Sequence, residues 1–199
     1  MLPKLERPRI LDVGCGSGVP TIELARLSHG EITGIDTDEL LLDRLSAKIE
    51  EEGLSHRVKV KKCSLFEMDF PEGSFDVVWA EGSIAVIGFE RGLREWRRLL
   101  RAEGFLVVHD DNMSVSEKLE KIPDCGYKLV NHFSLLEDAW WTEYYEPLQI
   151  QIRELSVKYK DDPEALEMLR QPQSEIDAVK KDPKRYSSVF YMMQKLKES

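Results

Sequence analysis

The chain has 199 residues, is 42% hydrophobic and 33% charged, and carries a formal net charge of −9. That length accommodates one α/β domain with a proper core and a modest insertion, while the acidic balance excludes the concentrated basic surface that nucleic-acid binding requires. No apolar run approaches the ~20 residues of a membrane span, and the first residues lack the basic start and apolar middle of a signal peptide, so a cytoplasmic protein with no membrane partner is expected.

Cys15, Cys63 and Cys125 are an odd, scattered set without a CxxC pair, which speaks against a disulfide framework and a structural zinc site. His29, His56, His109 and His132 fall in no ligand spacing either, so no metal is expected. Arg91, Arg94, Arg97, Arg98 and Arg101 recur on one predicted helix, where a solvated outer face is the better reading.

In chain order, residues 9–13 read as a strand and residues 21–27 as the start of a helix stopped by Gly30. A second strand follows at 31–35. Asp38 then caps a helix reaching about Glu52, with Leu41, Leu45 and Ile49 as its buried stripe. Residues 57–61 and 75–80 are the third and fourth strands. Phe89, Leu93, Trp96 and Leu100 stand at helical spacing, Gly104 closes that helix, and 105–109 is the fifth strand. Strands that are apolar throughout and separated by helices predict a doubly wound α/β fold, a mostly parallel sheet covered on both faces.

After Asp111 the rhythm changes. A helix is expected over 114–122, a sixth strand over 127–133 and a last strand over 187–193, making a seven-stranded Rossmann-like sheet. Between the last two strands, residues 135–185 show helical patterns and no strand, and hold Trp140, Trp141, Tyr144 and Tyr145. The chain therefore reads as a single domain, 1–199, with a helical insertion at 135–185. Leu148, Ile152, Leu155 and Tyr159 supply that insertion with a docking stripe, and Pro147, Pro163, Pro172 and Pro183 divide it into short pieces.

The segment ILDVGCGSGVP, residues 10–20, places Gly14, Gly16 and Gly18 just after the first strand. A glycine-rich turn there is where open α/β sheets bind nucleotides. The spacing is G-x-G-x-G, and Val19 stands where the dinucleotide fingerprint has its third glycine. Asp36, at the end of the second strand, is placed to accept hydrogen bonds from two ribose hydroxyls. A ribose-bearing ligand without a pyrophosphate follows.

D-x-G-C-G-S-G after a strand, with Asp36 ending the next, resembles the class I S-adenosyl-L-methionine (SAM)-dependent methyltransferases. FPEGSFDVVWAEGSI and RAEGFLVVHD resemble their small-molecule branch, which includes the quinone-biosynthesis methyltransferases. The resemblance implies SAM as cofactor and a small-molecule methyl acceptor. It places backbone at Gly14, Cys15 and Gly16 along the methionine part, with Gly18 completing the loop and Asp12 supporting it or reaching the amino group. Asp36 and Thr37 take the ribose, Ser64 and Leu65 border the adenine, and Glu81 and Gly82 face the sulfonium. No [DN]PPY follows the fourth strand, which speaks against methylation of exocyclic base amines.

For a general base the candidates are Glu81 and His109, with Asp110, Asp111 and His132 behind them. Trp141 and Tyr145 are expected either to roof a substrate pocket or to form a contact in a homodimer. Two other functions share these motifs: a non-catalytic SAM-binding module and an NAD-dependent oxidoreductase.

Overall fold

The computed structural model describes residues 2–135, 141–182 and 187–197. Two compact units emerge, one of Met1–Asp110, Ser114–Phe133 and Phe190–Ser199, the other of Asp111–Met113 and Ser134–Val189.

The first unit is built on a seven-stranded sheet of order β3-β2-β1-β4-β5-β7-β6. Its strands are β1 (Arg9–Val13), β2 (Glu31–Asp36), β3 (Val58–Lys62), β4 (Phe75–Glu81), β5 (Leu100–Asp111), β6 (Tyr127–Ser134) and β7 (Ser188–Lys195). β1 lies in the middle, parallel to β2 and β4, and every residue of it after Arg9 is buried. Such a strand reads as a continuous apolar run because helices cover both of its faces. β7 runs antiparallel to β6: the Leu135 amide reaches Ser188 O at 2.9 Å and the Leu196 amide reaches Gly126 O at 3.0 Å, at opposite ends of the pair. The order reverses between β2 and β4 around β1, so the loop after β1 opens at the topological switch point.

Helices α1 (Val19–Ser28) and α2 (Glu39–Glu51) join the first three strands. Asp38 caps α2 as expected, its carboxylate accepting the Leu40 and Leu41 amides at 2.9 and 3.3 Å, a cap worth ~1 kcal/mol. The buried stripe is Leu42, Leu45 and Ile49 rather than one beginning at Leu41, a set that keeps the three- and four-residue spacing of one helix face. Short α3 (Ile84–Ile87) precedes α4 (Phe89–Trp96), and α5 (Val115–Asp124) lies between β5 and β6.

Leu100 departs from its expected place in a helix. After Trp96 the chain tightens into a 3₁₀ turn, Arg97–Leu99, and Leu100 already pairs with Phe75. The next register pair is Val77 with Phe105, so β5 spends extra residues opposite Asp76, and Gly104 sits inside the strand rather than closing a helix. A Cβ on Gly104 would come within 3.1 Å of the carbonyls of Arg101 and Asp76.

The arginines do not form one free basic face. Arg91 and Arg94 pair with Glu95 and Glu90 at 2.5 and 3.0 Å, and Arg101 meets the buried carboxylate of Asp76 at 2.6 Å. Arg98 holds the carbonyls of Phe70 and Met68, and Arg97 those of Gly126 and Leu196. The solvated face extends only over the α4 pairs; Arg97 and Arg98 tie loops in place, and Arg101 joins β5 to β4.

The second unit is helical, with a π-helical turn (Trp141–Tyr145), α6 (Glu146–Lys158) and α7 (Pro163–Lys181). Tyr145, Ile152, Ile176 and Val179 form its buried core, flanked by Trp141, Leu148 and Leu169. Leu155 and Tyr159 are 37% and 38% exposed, so the expected stripe stops at Ile152. Pro147 and Pro163 lie in the first turns of their helices, where the missing N–H costs nothing. Pro172, expected to break the segment, is carried inside a continuous α7, and Pro183 and Trp140 lie outside the described residues. No helix among the described residues is long and apolar enough to cross a membrane.

Candidate cofactor and active site

The loop after β1 turns its amides inward. Gly14 and Cys15 both donate to Ile35 O at 2.8 and 3.0 Å, Gly16 donates to Asp36 Oδ2 at 2.9 Å, and Gly18 donates to Cys15 O at 2.9 Å. A pyrophosphate needs several amides aimed outward; here those donors are already spent. What the loop offers instead is bare surface. Nothing lies within 4 Å of where a Cβ on Gly16 or Gly82 would sit.

Each glycine has its own reason. Gly14 has φ +73° and a Cβ there would meet Ser83 Cβ at 2.6 Å, so the β1 loop and the β4 loop are pressed together. Ser83 also donates to Val13 O at 2.5 Å. Gly18, at φ +85°, caps α1 where the Leu45 side chain fills the space a Cβ would take. Its role in the structure is helix packing. Cys15 is likewise a core residue, with its Sγ 3.0 Å from where a Cβ of Gly34 would be, and burial pushes its thiol up to about 12.

Asp12 is 1% exposed and accepts a 2.5 Å hydrogen bond from Thr21 Oγ1. Burial pushes its carboxyl up to about 7; the Thr21 hydroxyl opposes this, and the charges of Glu81 and Asp36 add to it. Asp36 is half-buried, taking the Asp38 amide on Oδ1 at 3.0 Å besides that of Gly16 on Oδ2. Each oxygen keeps a lone pair for a hydroxyl. Thr37 is exposed beside it. The Cys63 amide reaches Asp36 O at 2.9 Å, which brings Ser64 and Leu65 to the same edge. Ser64 Oγ accepts the Phe66 amide at 3.2 Å, and Leu65 O accepts from Trp96 Nε1 at 3.4 Å.

Glu81 and His109 stand directly opposite each other in the β4–β5 register. Glu81 is half-buried, accepts from Trp79 Nε1 at 2.8 Å, and burial raises its pKa, with the indole bond opposing. His109 is 6% exposed and stacks on Phe190 at 4.5 Å; burial lowers its pKa more than Asp110 raises it, so the ring is kept neutral. Asp110 is committed to Lys118 at 2.7 Å, Asp111 accepts the Met113 amide at 2.9 Å, and His132 is exposed and stacks on Tyr191 at 6.5 Å. Glu81 is the best-placed of the expected bases.

In the helical unit, Lys180 Nζ lies 5.1 Å over the Trp141 ring. Tyr145 is 6% exposed and donates its hydroxyl to Glu175 at 3.0 Å, so that ring is committed to the core of its own unit. Sequence reasoning missed Thr21, Ser83, Trp79 and Phe190. Ser83 and Trp79 flank Glu81 in WAEGS and were within reach; Phe190, far away in SSVFYMM, carried no local signal.

An acid-lined loop with inward amides at the switch point defines a site for a nucleoside carrying positive charge rather than phosphate, on a doubly wound sheet. Asp12, Asp36 and Glu81 suit the sulfonium and ammonium of SAM, and bare Gly16 and Gly82 leave room for it, so the residues fit that cofactor. A methyltransferase-domain family model matches residues 10–104. The chain is 27% identical over 172 residues to a sterol 24-C-methyltransferase of Aspergillus fumigatus, covering 72% of this chain and 46% of that protein. It therefore spans less than half the length of that curated relative. A SAM-dependent methyltransferase of Geobacter sulfurreducens, solved with S-adenosyl-L-homocysteine (SAH), shares the fold at TM-score 0.79 and 21% identity over 96% of this chain and 86% of that one. The [4+2]-cyclase SpnF superposes at TM-score 0.80 and 21% identity, over 97% and 76% of the two chains. The chain thus carries a methyltransferase domain over residues 10–104 and shares its fold with SAM-dependent methyltransferases.

Proposed function

We propose that this protein transfers the methyl group of SAM to a small organic acceptor by in-line displacement. The observation that carries the reading is the loop whose Gly14, Cys15, Gly16 and Gly18 amides are turned inward beneath an acidic edge, in a chain that carries a methyltransferase domain. Asp36 and Thr37 hold the ribose, Ser64 and Leu65 border the adenine, and the backbone of Gly14, Cys15 and Gly16 lies along the methionine part. Asp12 balances its positive charge, and Glu81 stands toward the acceptor. SAM supplies the electrophile and the leaving group, so the protein's share is alignment and exclusion of water, where effective molarities reach about 10⁵ M or more. Glu81 takes the acceptor's proton where one must leave.

The sequence offers the helical segment either as a cover for this reaction or as a contact in a homodimer, and removing the segment separates the two. The inward amides disfavour an NAD-dependent oxidoreductase. The cyclase on the same fold keeps a non-catalytic or differently catalytic SAM binder as the second reading, since fold does not fix function. Calorimetry with SAH and methyl-labelled SAM offered to small-molecule extracts separate the three. Absence of SAH binding to folded protein sinks the proposal, whereas binding with no labelled product favours the second reading.

A further inference from the structure

The carboxyl ends of β4, β5 and β6 and the adjoining start of β7 carry a row of rings that the loop chemistry leaves unused. Phe190 is its centre, 4.5 Å from His109 at 29°, 5.3 Å from Phe133 at 19° and 6.0 Å from Trp79 at 48°. Trp79 and Phe190 are half-buried and Phe133 is 44% exposed, so the row keeps an accessible side. At one end the Trp79 indole donates to Glu81 Oε1, and among the described residues this is the only hydrogen-bond partner of that carboxylate; no cation there pairs with it. A partly desolvated carboxylate without a counter-charge is costly to keep, and the neighbouring His109, kept neutral by burial, supplies none.

We propose that this row and Glu81 form the seat of the methyl acceptor, and that the acceptor is an amine arriving as a cation. The inference rests on the methyl-transfer reading and names its substrate class. Ring faces carry negative charge density and attract ammonium groups, so aromatic faces ending in an unpaired carboxylate select cations over neutral molecules of the same shape. The carbon skeleton lies along Phe133 and Phe190, with the nitrogen at Glu81. There the ammonium gives one N–H proton to the Glu81 carboxylate, and the freed lone pair forms the N–C bond to the methyl. The C–S bond breaks with its electron pair on sulfur, leaving a methylated ammonium and a neutral thioether, and Glu81 returns its proton to water.

The test titrates the full chain, saturated with SAH, with benzyltrimethylammonium, tetramethylammonium and benzyl alcohol by calorimetry. Benzyltrimethylammonium is expected to bind about tenfold or more tightly than benzyl alcohol, and Glu81→Gln to remove most of that preference. Phe133→Leu, at an exposed position where folding is undisturbed, is expected to weaken benzyltrimethylammonium about threefold or more and tetramethylammonium far less. Equal binding of the aromatic cation and the alcohol, no binding of either, or an unchanged preference in Glu81→Gln overturns the proposal. In each of those cases retained SAH binding leaves the methyl-transfer reading standing, whereas failure of SAH to bind while the cation preference persists strikes that reading instead.

Discussion

Asp36 closes the glycine loop from 20 residues away, its Oδ2 accepting the Gly16 amide at 2.9 Å. One carboxylate thus both shapes the loop and faces the proposed ribose. Asp36→Ala is expected to weaken SAH binding by ~1.5–3 kcal/mol, the scale of a hydrogen bond to a charged group, and to loosen the loop as well. Asp36→Asn keeps an acceptor for Gly16 and should fall between, which calorimetry on the two variants will read.

Gly14 and Gly16 should respond differently to alanine. At Gly14 the new Cβ meets Ser83 at 2.6 Å and the backbone is left-handed, so Gly14→Ala is expected to lower stability by about 2 kcal/mol or more. At Gly16 the space is open, so only the left-handed strain of ~1–2 kcal/mol applies, while the methyl intrudes where the cofactor is proposed to lie. Thermal melts with and without SAH distinguish them: Gly14→Ala loses its Tm in both, and Gly16→Ala loses mainly the ligand-induced rise.

Asp12 predicts a pH dependence of stability with a definite sign. Its folded pKa of about 7 lies above the ordinary 3.8, so between those values the native state binds more protons than the unfolded one. Stability therefore falls as pH rises through that window, by up to about 1.4 kcal/mol per pH step from this group. Asp12→Asn, which retains an acceptor for Thr21, should flatten the slope and raise the melting temperature above pH 7. An unchanged slope in denaturant titrations from pH 5 to 8 would show that Asp12 is not the group responsible.

The helical unit separates packing from function. Tyr145→Ala empties a buried site in its core and is expected to cost about 3–5 kcal/mol of that unit's stability, visible as an early thermal transition. Trp141→Ala truncates a half-buried ring, so on the cover reading turnover drops while SAH affinity holds. Removing residues 140–181 extends the test, with weak SAH binding kept and turnover abolished. Full turnover after that removal rules out a cover.

The β-α rhythm, the G-x-G-x-G loop, Asp36 at the next strand end and the Asp38 cap were all legible in the sequence because each depends on neighbours within a turn or a strand. Periodicity also misled where local pattern and long-range pairing compete. Leu100 continues the α4 repeat yet joins β5, since its pairing opposite Phe75 of β4 exists only once the sheet forms. Pro172 reads as a break but lies within a continuous α7, which Asp162 caps and which buries Ile176 and Val179. Which glycine makes room for a ligand and which for Leu45 could not be read from spacing, because the answer lies in a side chain some 27 residues on. The ring row ending at Glu81 draws Trp79, His109, Phe133 and Phe190 from four strands. Sequence determines each residue's chemistry and strand; only the sheet order, which sets β7 between β5 and β6, brings those faces together.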